Sequence, residues 1–230
     1  KDFGYIIDFM KYCLIFILFL RMTAAVFSQT GSPYTAEEYE RANTAAHIAY
    51  LSRDEKEVIR QLNLARMDAR RYCDYYVEQF IKYQNTIYSP KILPSNRYLK
   101  SLKADAIKIK NLPLLYPDER LARSSAFHAR DMGITGRTGH DSSNGTSFEK
   151  RLLKYLGTDT LAYGENCSYG FEEASYIVSD LLIDNGITSL GHRHNILSPE
   201  FHSVGVGIFT HTVYRYNCVM DFSSGMHPRK

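Results

Sequence analysis

The sequence predicts an α+β fold in which helices come first along the chain and a small antiparallel sheet, with helices against it, closes it. Three observations carry that prediction. Apolar residues recur at helical spacing through residues 57–83, a second helical segment follows Pro117, and beyond Ser203 the period shortens to that of strands. With 230 residues, 44% of them hydrophobic, the chain is long enough for one domain with a real core, and nothing in it marks a second.

At the N-terminal end, Met10 and Lys11 precede the apolar run YCLIFILFL, and the small-residue stretch TAAVFSQ follows. That order of charged, apolar and small segments is the pattern of a secretory signal peptide. A membrane anchor is the competing reading, but Arg21 interrupts the run well before the ~20 apolar residues of a spanning helix. The expected organisation is a signal peptide over 1–28, with residues 1–9 upstream of the natural start, then a linker and short helix over 29–51. A main domain over 52–224 and a tail over 225–230 follow. The mature protein would be secreted or periplasmic, with no stable membrane insertion.

Thr35 with Glu38 and Ser52 with Glu55 each form a capping box, the first opening a short helix up to Tyr50 and the second a longer one. On the longer helix Ile59, Leu62, Arg66, Ala69 and Cys73 recur along one face. Pro90 and Pro94 end it, and residues 95–111 form a helical or irregular excursion. Asp118 and Glu119 complement the dipole of the next helix, which carries Leu121, Ser125, His128 and Met132 on one face. Gly, Thr, Ser and Asn make 133–147 a loop, and a further helix over 172–186 stops at Asn185 and Gly186. The segments SVGVGIF and VYRYNCVMDF, joined by THT, read as an antiparallel hairpin, and AYGENCSYG supplies a third strand.

Signal cleavage removes Lys1, Lys11, Arg21, Asp2 and Asp8, lowering the formal charge of +3 by one. Acids and bases are interspersed, so the chain offers no basic stripe for nucleic acid and no polybasic membrane patch. Of its four cysteines, Cys73, Cys167 and Cys218 lie beyond the signal segment. In an oxidising compartment Cys167 and Cys218 are the candidate disulfide; two buried free thiols are the alternative.

The polar residues of interest fall in separate segments: His140 in GRTGHDSS, Glu165 in AYGENCSYG, Asp184 in LLIDNG, and His192 and His194 in SLGHRHNILSP. Imidazoles with carboxylates are the ligand types of zinc and similar divalent ions, and also the types for general acid and base work. The sequence holds no HExxH, paired CxxC, GxSxG, P-loop or dinucleotide fingerprint. On spacing alone each histidine reads equally as a loop cap. His128 reads as a hydrogen-bonded core histidine on its helix face, and Ser142 and Ser143 as turn residues rather than nucleophiles.

The ordered set SSAFHARDM, GHDSSNG, YGENCSYG, GHRHNIL and FHSVGVGIF resembles the CAP superfamily, which takes in cysteine-rich secretory, antigen-5 and pathogenesis-related proteins. The resemblance covers residues 52–222, with an excursion over 84–110 longer than is usual in the family. It implies an α-β-α sandwich and a central cleft with a tetrad of two histidines and two acids. Carried over, these are His140, Glu165, His192 and, one methylene shorter than the usual Glu, Asp184. His140, His192 and Glu165 would be the ligands of a divalent cation such as zinc. Asn166, Arg193 and His194 would support the cleft: Asn166 and Arg193 by orienting Glu165 or a bound anion, His194 by flanking the cleft or capping the turn before Pro199.

The expected function is a secreted, non-catalytic binding module that takes a lipid, peptide or envelope component besides the cation. The alternatives are a metal-dependent hydrolase of peptide or envelope bonds with Glu165 as general base, and a purely structural polar network.

Overall fold

The computed structural model describes residues 32–157 and 162–225. The export segment expected over 1–28 and the end of the tail lie outside the described residues. Both predicted capping boxes form. Thr35 and Glu38 open α1 (Ala36–Ala42), which ends well short of Tyr50, and Ser52 and Glu55 open α2 (Arg53–Met67). Tyr34, Ala42, Ala45 and Leu51 are buried, so the segment expected as a linker is in part core.

The long helix expected to run through residue 83 breaks at Asp68, whose backbone is extended (φ −153°, ψ 93°). The cause is tertiary. Asn111 and Leu112 donate their N–H groups to the carbonyls of Met67 and Arg66, taking the acceptors a continuing helix would use. Asp68 then caps a new start through Arg71 N–H, giving α3 (Ala69–Tyr72), a π turn (Cys73–Val77) and α4 (Glu78–Ile87). The excursion holds α5 (Arg97–Ala106), which buries Leu99, Leu102 and Ala106.

The sheet contains β1 (Tyr116–Pro117), β2 (Tyr163–Tyr169), β3 (Ser203–His211) and β4 (Arg215–Ser223) in the order β1-β3-β4-β2. The expected antiparallel core is β3-β4-β2, but β1 joins β3 in parallel, so the sheet is mixed. The hairpin turns over 212–214 rather than at THT, because His211 belongs to β3 and its Nδ1 accepts the N–H groups of Val213 and Tyr214.

Register fixes which side chains share a face. Glu165, Asp221 and Gly205 form one row across the sheet, and Cys167, Val219 and Gly207 form another. Both rows face α6 (Glu119–Thr135): a Cβ on Gly205 would lie 2.0 Å from the Leu121 carbonyl carbon, and one on Gly207 2.4 Å from the Ala126 nitrogen. The missing side chains let the helix backbone settle onto the sheet. On the other face Val204, Val206, Cys218, Met220 and Phe222 join a core with residues of α2 and of α8 (Ala174–Ile183). Helix α7 (Phe148–Leu156) packs Leu152 and Leu156 against Leu121, and α9 (Gly191–Leu197) lies beside α8 and β2. The architecture is α+β, with helices on both faces of a small sheet.

The expected Cys167–Cys218 disulfide does not form. Cys167 is opposite Val219 while Cys218 is opposite Ser168, so on adjacent strands the two side chains point to opposite faces. Cys73, Cys167 and Cys218 are buried free thiols. Among the described residues no helix is long and apolar enough to cross a membrane.

Candidate functional site

Glu165 sits in the middle of β2 with its side chain 1% exposed on the α6 face. Two groups hold it there. His140 Nδ1 lies 2.9 Å from Oε1, and the buried guanidinium of Arg151 on α7 bonds Oε2. Arg151 also donates to the His140 carbonyl (2.7 Å) and to the Ser142 hydroxyl (3.3 Å), fixing the loop that carries His140. That loop is pinned again at Gly139, whose N–H donates to Tyr169 Oη (3.0 Å) and whose carbonyl lies 2.9 Å from His128 Nε2. Because an ionised carboxylate only accepts, Nδ1 of His140 carries its proton, and in the neutral ring Nε2 is left as the lone pair. The side chain of His140 is 51% exposed.

Burial opposes the charge on Glu165, but the His140 hydrogen bond and the Arg151 charge prevail and hold its carboxyl below the usual range. The same hydrogen bond raises the pKa of His140 above the ordinary histidine value against the effect of burial. Opposite Glu165 in register, Asp221 is fully buried, and burial together with the Glu165 charge pushes its carboxyl well above the usual range.

The second pair is built locally. Asp184 ends α8 in the left-handed region (φ 57°), a conformation Asp tolerates better than most residues, and its carboxylate is 0% exposed. It accepts from His192 Nδ1 (2.8 Å) and from the backbone N–H groups of His192 (3.0 Å) and Arg193 (3.3 Å) in the first turn of α9. Burial pushes the nearby Asp180 carboxyl up to about 6, against the pull of His192.

The tetrad His140, Glu165, Asp184 and His192 therefore resolves into two histidine–acid pairs, one made by the edge strand β2 and the loop before α7, the other by the end of α8 and the first turn of α9. Asn166, on the face opposite Glu165, joins them. Its amide donates to the His192 carbonyl (3.1 Å), while Asn195 donates to the Glu165 carbonyl (3.2 Å) and to Asn166 Oδ1 (2.9 Å). Asn166 thus supports the site through β2 and α9 rather than by touching the Glu165 carboxylate.

Arg193 does not orient Glu165 or hold an anion. Its guanidinium donates to the Leu182, Ile183 and Tyr98 carbonyls, to Ser101 Oγ and to Asp105, so all five N–H groups are used in tying α5 to α8 and α9. His194 is exposed and lines a cavity with Asp105, Lys108 and Pro199, away from the paired residues. His128 is the core histidine expected, 0% exposed. Ser143 bonds Asp131 and Ser142 supports Arg151, consistent with turn roles.

Sequence reasoning missed Arg151 and Asp221. Signals for both existed: Arg151 shares a helical face with Phe148 and Leu152, and strand alternation puts Asp221 on the same side as Val219. It also missed a compact group beneath His140. One ligand atom each from His128, Glu165 and Cys167, all buried, lie within 4.8 Å of one another, and Cys167 Sγ is 3.8 Å from His140 Nδ1.

The chain is similar to proteins that are already known. The uncharacterized protein YkwD of Bacillus subtilis is 31% identical over 99 residues, covering 43% of this chain and 36% of YkwD. The chain thus matches little more than a third of that relative's length. An extracellular SCP-domain protein of Bacillus anthracis superposes with a TM-score of 0.42 at 23% identity, over 59% of this chain and 45% of that one. An outer surface protein of Borrelia burgdorferi gives 0.40 at 17%, over 57% and 95%. Residues 60–222 match the family described as CAP, the cysteine-rich secretory protein family, and the chain belongs to it.

Proposed function

We propose that this protein is an exported, non-catalytic binding module whose histidine–acid cleft holds a divalent cation such as zinc. One observation carries the reading: His140 and His192 are each fixed through Nδ1 by a buried carboxylate, and neither Nε2 has a hydrogen bond among the described residues. Histidines that ligate metals are commonly held in this way, with the carboxylate setting the tautomer and aiming the other nitrogen. In this arrangement His140 and His192 are the ligands. Glu165, whose two oxygens are already engaged, orients His140 in place of ligating the ion itself. Export rests on the order of charged, apolar and small residues over 10–29 and on the family's secretory name. A lipid, peptide or envelope component remains the class of further partner. A hydrolase with Glu165 as base fits the site less well, because a carboxylate bonded to Arg151 and held at low pKa is a poor proton acceptor near neutral pH.

Calorimetric titration with Zn²⁺ and Cu²⁺ at neutral pH tests the reading. We expect binding by the wild type and loss of it in the His140→Ala/His192→Ala double variant. Absence of binding by the wild type, or binding unchanged in the double variant, would overturn it.

A further inference from the structure

The cleft reading leaves two buried side chains below it, His128 and Cys167, without a role. His128 on α6 reaches toward β2, where Glu165 and Cys167 project side by side from alternate positions. Their three ligand atoms lie within 4.8 Å of one another, and the Nδ1 of His140 is 3.8 Å from the sulfur and 2.9 Å from Glu165 Oε1. A tetrahedral zinc ion with nitrogen and sulfur ligands places those ligands roughly 3.5 Å apart. The sulfur and the His140 nitrogen already stand near that spacing, whereas the His128, Glu165 and Cys167 atoms need a contraction of up to about an ångström and Glu165 Oε1 must draw away from His140 Nδ1.

A second, independent observation concerns an unpartnered polar atom. His128 Nδ1 is buried with no hydrogen-bond partner among the described residues. Native interiors pair nearly all such atoms, so an unpartnered imidazole nitrogen beside a buried cysteine and a buried carboxylate points to a ligand. The charges also fit. A Cys167 thiolate and the Glu165 carboxylate, beside a neutral Asp221, supply two negative charges to a divalent ion.

We propose that His128, Cys167, Glu165 and His140 form a second, buried site for a thiophilic divalent ion of the zinc type, distinct from the cleft cation because it excludes His192. On binding, the Cys167 S–H bond breaks as the S–metal bond forms, and the thiol proton leaves to solvent past the half-exposed His140. The His140 proton moves from Nδ1 to Nε2, so this ring serves only one of the two sites at a time. Arg151 keeps its bond to Glu165 Oε2 while Oε1 turns to the ion.

Co²⁺ is the probe, since a thiolate bound to it gives a charge-transfer absorption in the near ultraviolet. The purified protein should develop that band with one equivalent of Co²⁺. Cys167→Ser should abolish it, His128→Gln should weaken the affinity at least tenfold, on the order of what loss of a metal-supporting group costs, and His192→Ala should leave it intact. No band in the wild type, or a band that survives Cys167→Ser or is lost in His192→Ala, overturns the proposal. Calorimetric Zn²⁺ binding unchanged in His192→Ala, with the Co²⁺ band present, overturns only the cleft reading. Should circular dichroism show Cys167→Ser unfolded, iodoacetamide labelling of the wild type decides. Zn²⁺ should slow labelling of Cys167 relative to Cys73 and Cys218; equal rates with and without Zn²⁺ would overturn the site.

Discussion

The two histidine–acid pairs are chemically alike and physically different. Asp184 is neutralised by dipoles: two backbone N–H groups from the first turn of α9 and one imidazole, all within nine residues of it. Glu165 is neutralised by a full charge brought from another helix, Arg151, and has a second carboxyl, Asp221, directly across the sheet. The comparison teaches that the same outward function, an imidazole held by Nδ1, can be built on a local turn or on a long-range buried ion pair. Only the second carries a large penalty when one member is removed.

The sharpest break of this comparison is a pair of substitutions. Glu165→Gln leaves the Arg151 guanidinium buried without its counter-charge and should cost about 3–5 kcal/mol. Asp184→Asn keeps an oxygen to accept the backbone N–H groups and should cost about 1 kcal/mol. Urea unfolding of both variants checks the ranking, and equal costs would show that Arg151 is not what sets the two pairs apart.

Acid unfolding gives an effect of intermediate size. A carboxylate whose folded pKa lies below its unfolded value contributes stability above the unfolded value, and that stability is lost as pH falls through the folded one. Wild-type stability should therefore fall on acidification below the ordinary Glu range, and Glu165→Gln should flatten that limb. Asp221→Asn should leave it in place, since burial already keeps the Asp221 carboxyl protonated there. An acid limb unchanged in Glu165→Gln would remove Glu165 as its source.

The smallest effect is spectroscopic. Burial lowers the pKa of His128, while the Glu165 hydrogen bond raises that of His140. Proton NMR titration of the imidazoles should show His140 taking its proton at higher pH than His128. By the same linkage, the stability from protonated His140 is present below the ordinary His range and is lost as pH rises through its raised value. His128 works the other way, weakening the fold as pH falls below the ordinary range. Reversal of the two titrations would contradict the geometry of the Glu165 pair.

The family motifs located all four members of the two pairs, because His140, Glu165, Asp184 and His192 each stand in a recognisable segment. They did not show that the four divide two and two, since that depends on the fold bringing the loop before α7 to β2 and the end of α8 to the first turn of α9. Arg193 illustrates the limit. Its place beside His192 suggested an anion-binding role, yet its guanidinium is used up on α5, an element of the excursion some ninety residues earlier in the chain. Arg66 shows the same on α2: it was legible as one of a helical stripe, but its bonds to the carbonyls of Pro113, Ile196, Ser198 and Phe201 are all long-range.

By itself the sequence determined what rests on neighbours along the chain: the capping boxes at Thr35 and Ser52, the strand period from Ser203 onward, and the helix that places Asp184 at its end. Those depend on hydrogen bonds and side-chain spacing within a few residues. Tertiary structure alone decided the break at Asp68, the parallel β1, the separation of Cys167 from Cys218 and the meeting of Arg151 with Glu165. Each depends on a backbone or charge partner far away in sequence, and burial makes that partner decisive by removing the water that would otherwise satisfy the same groups.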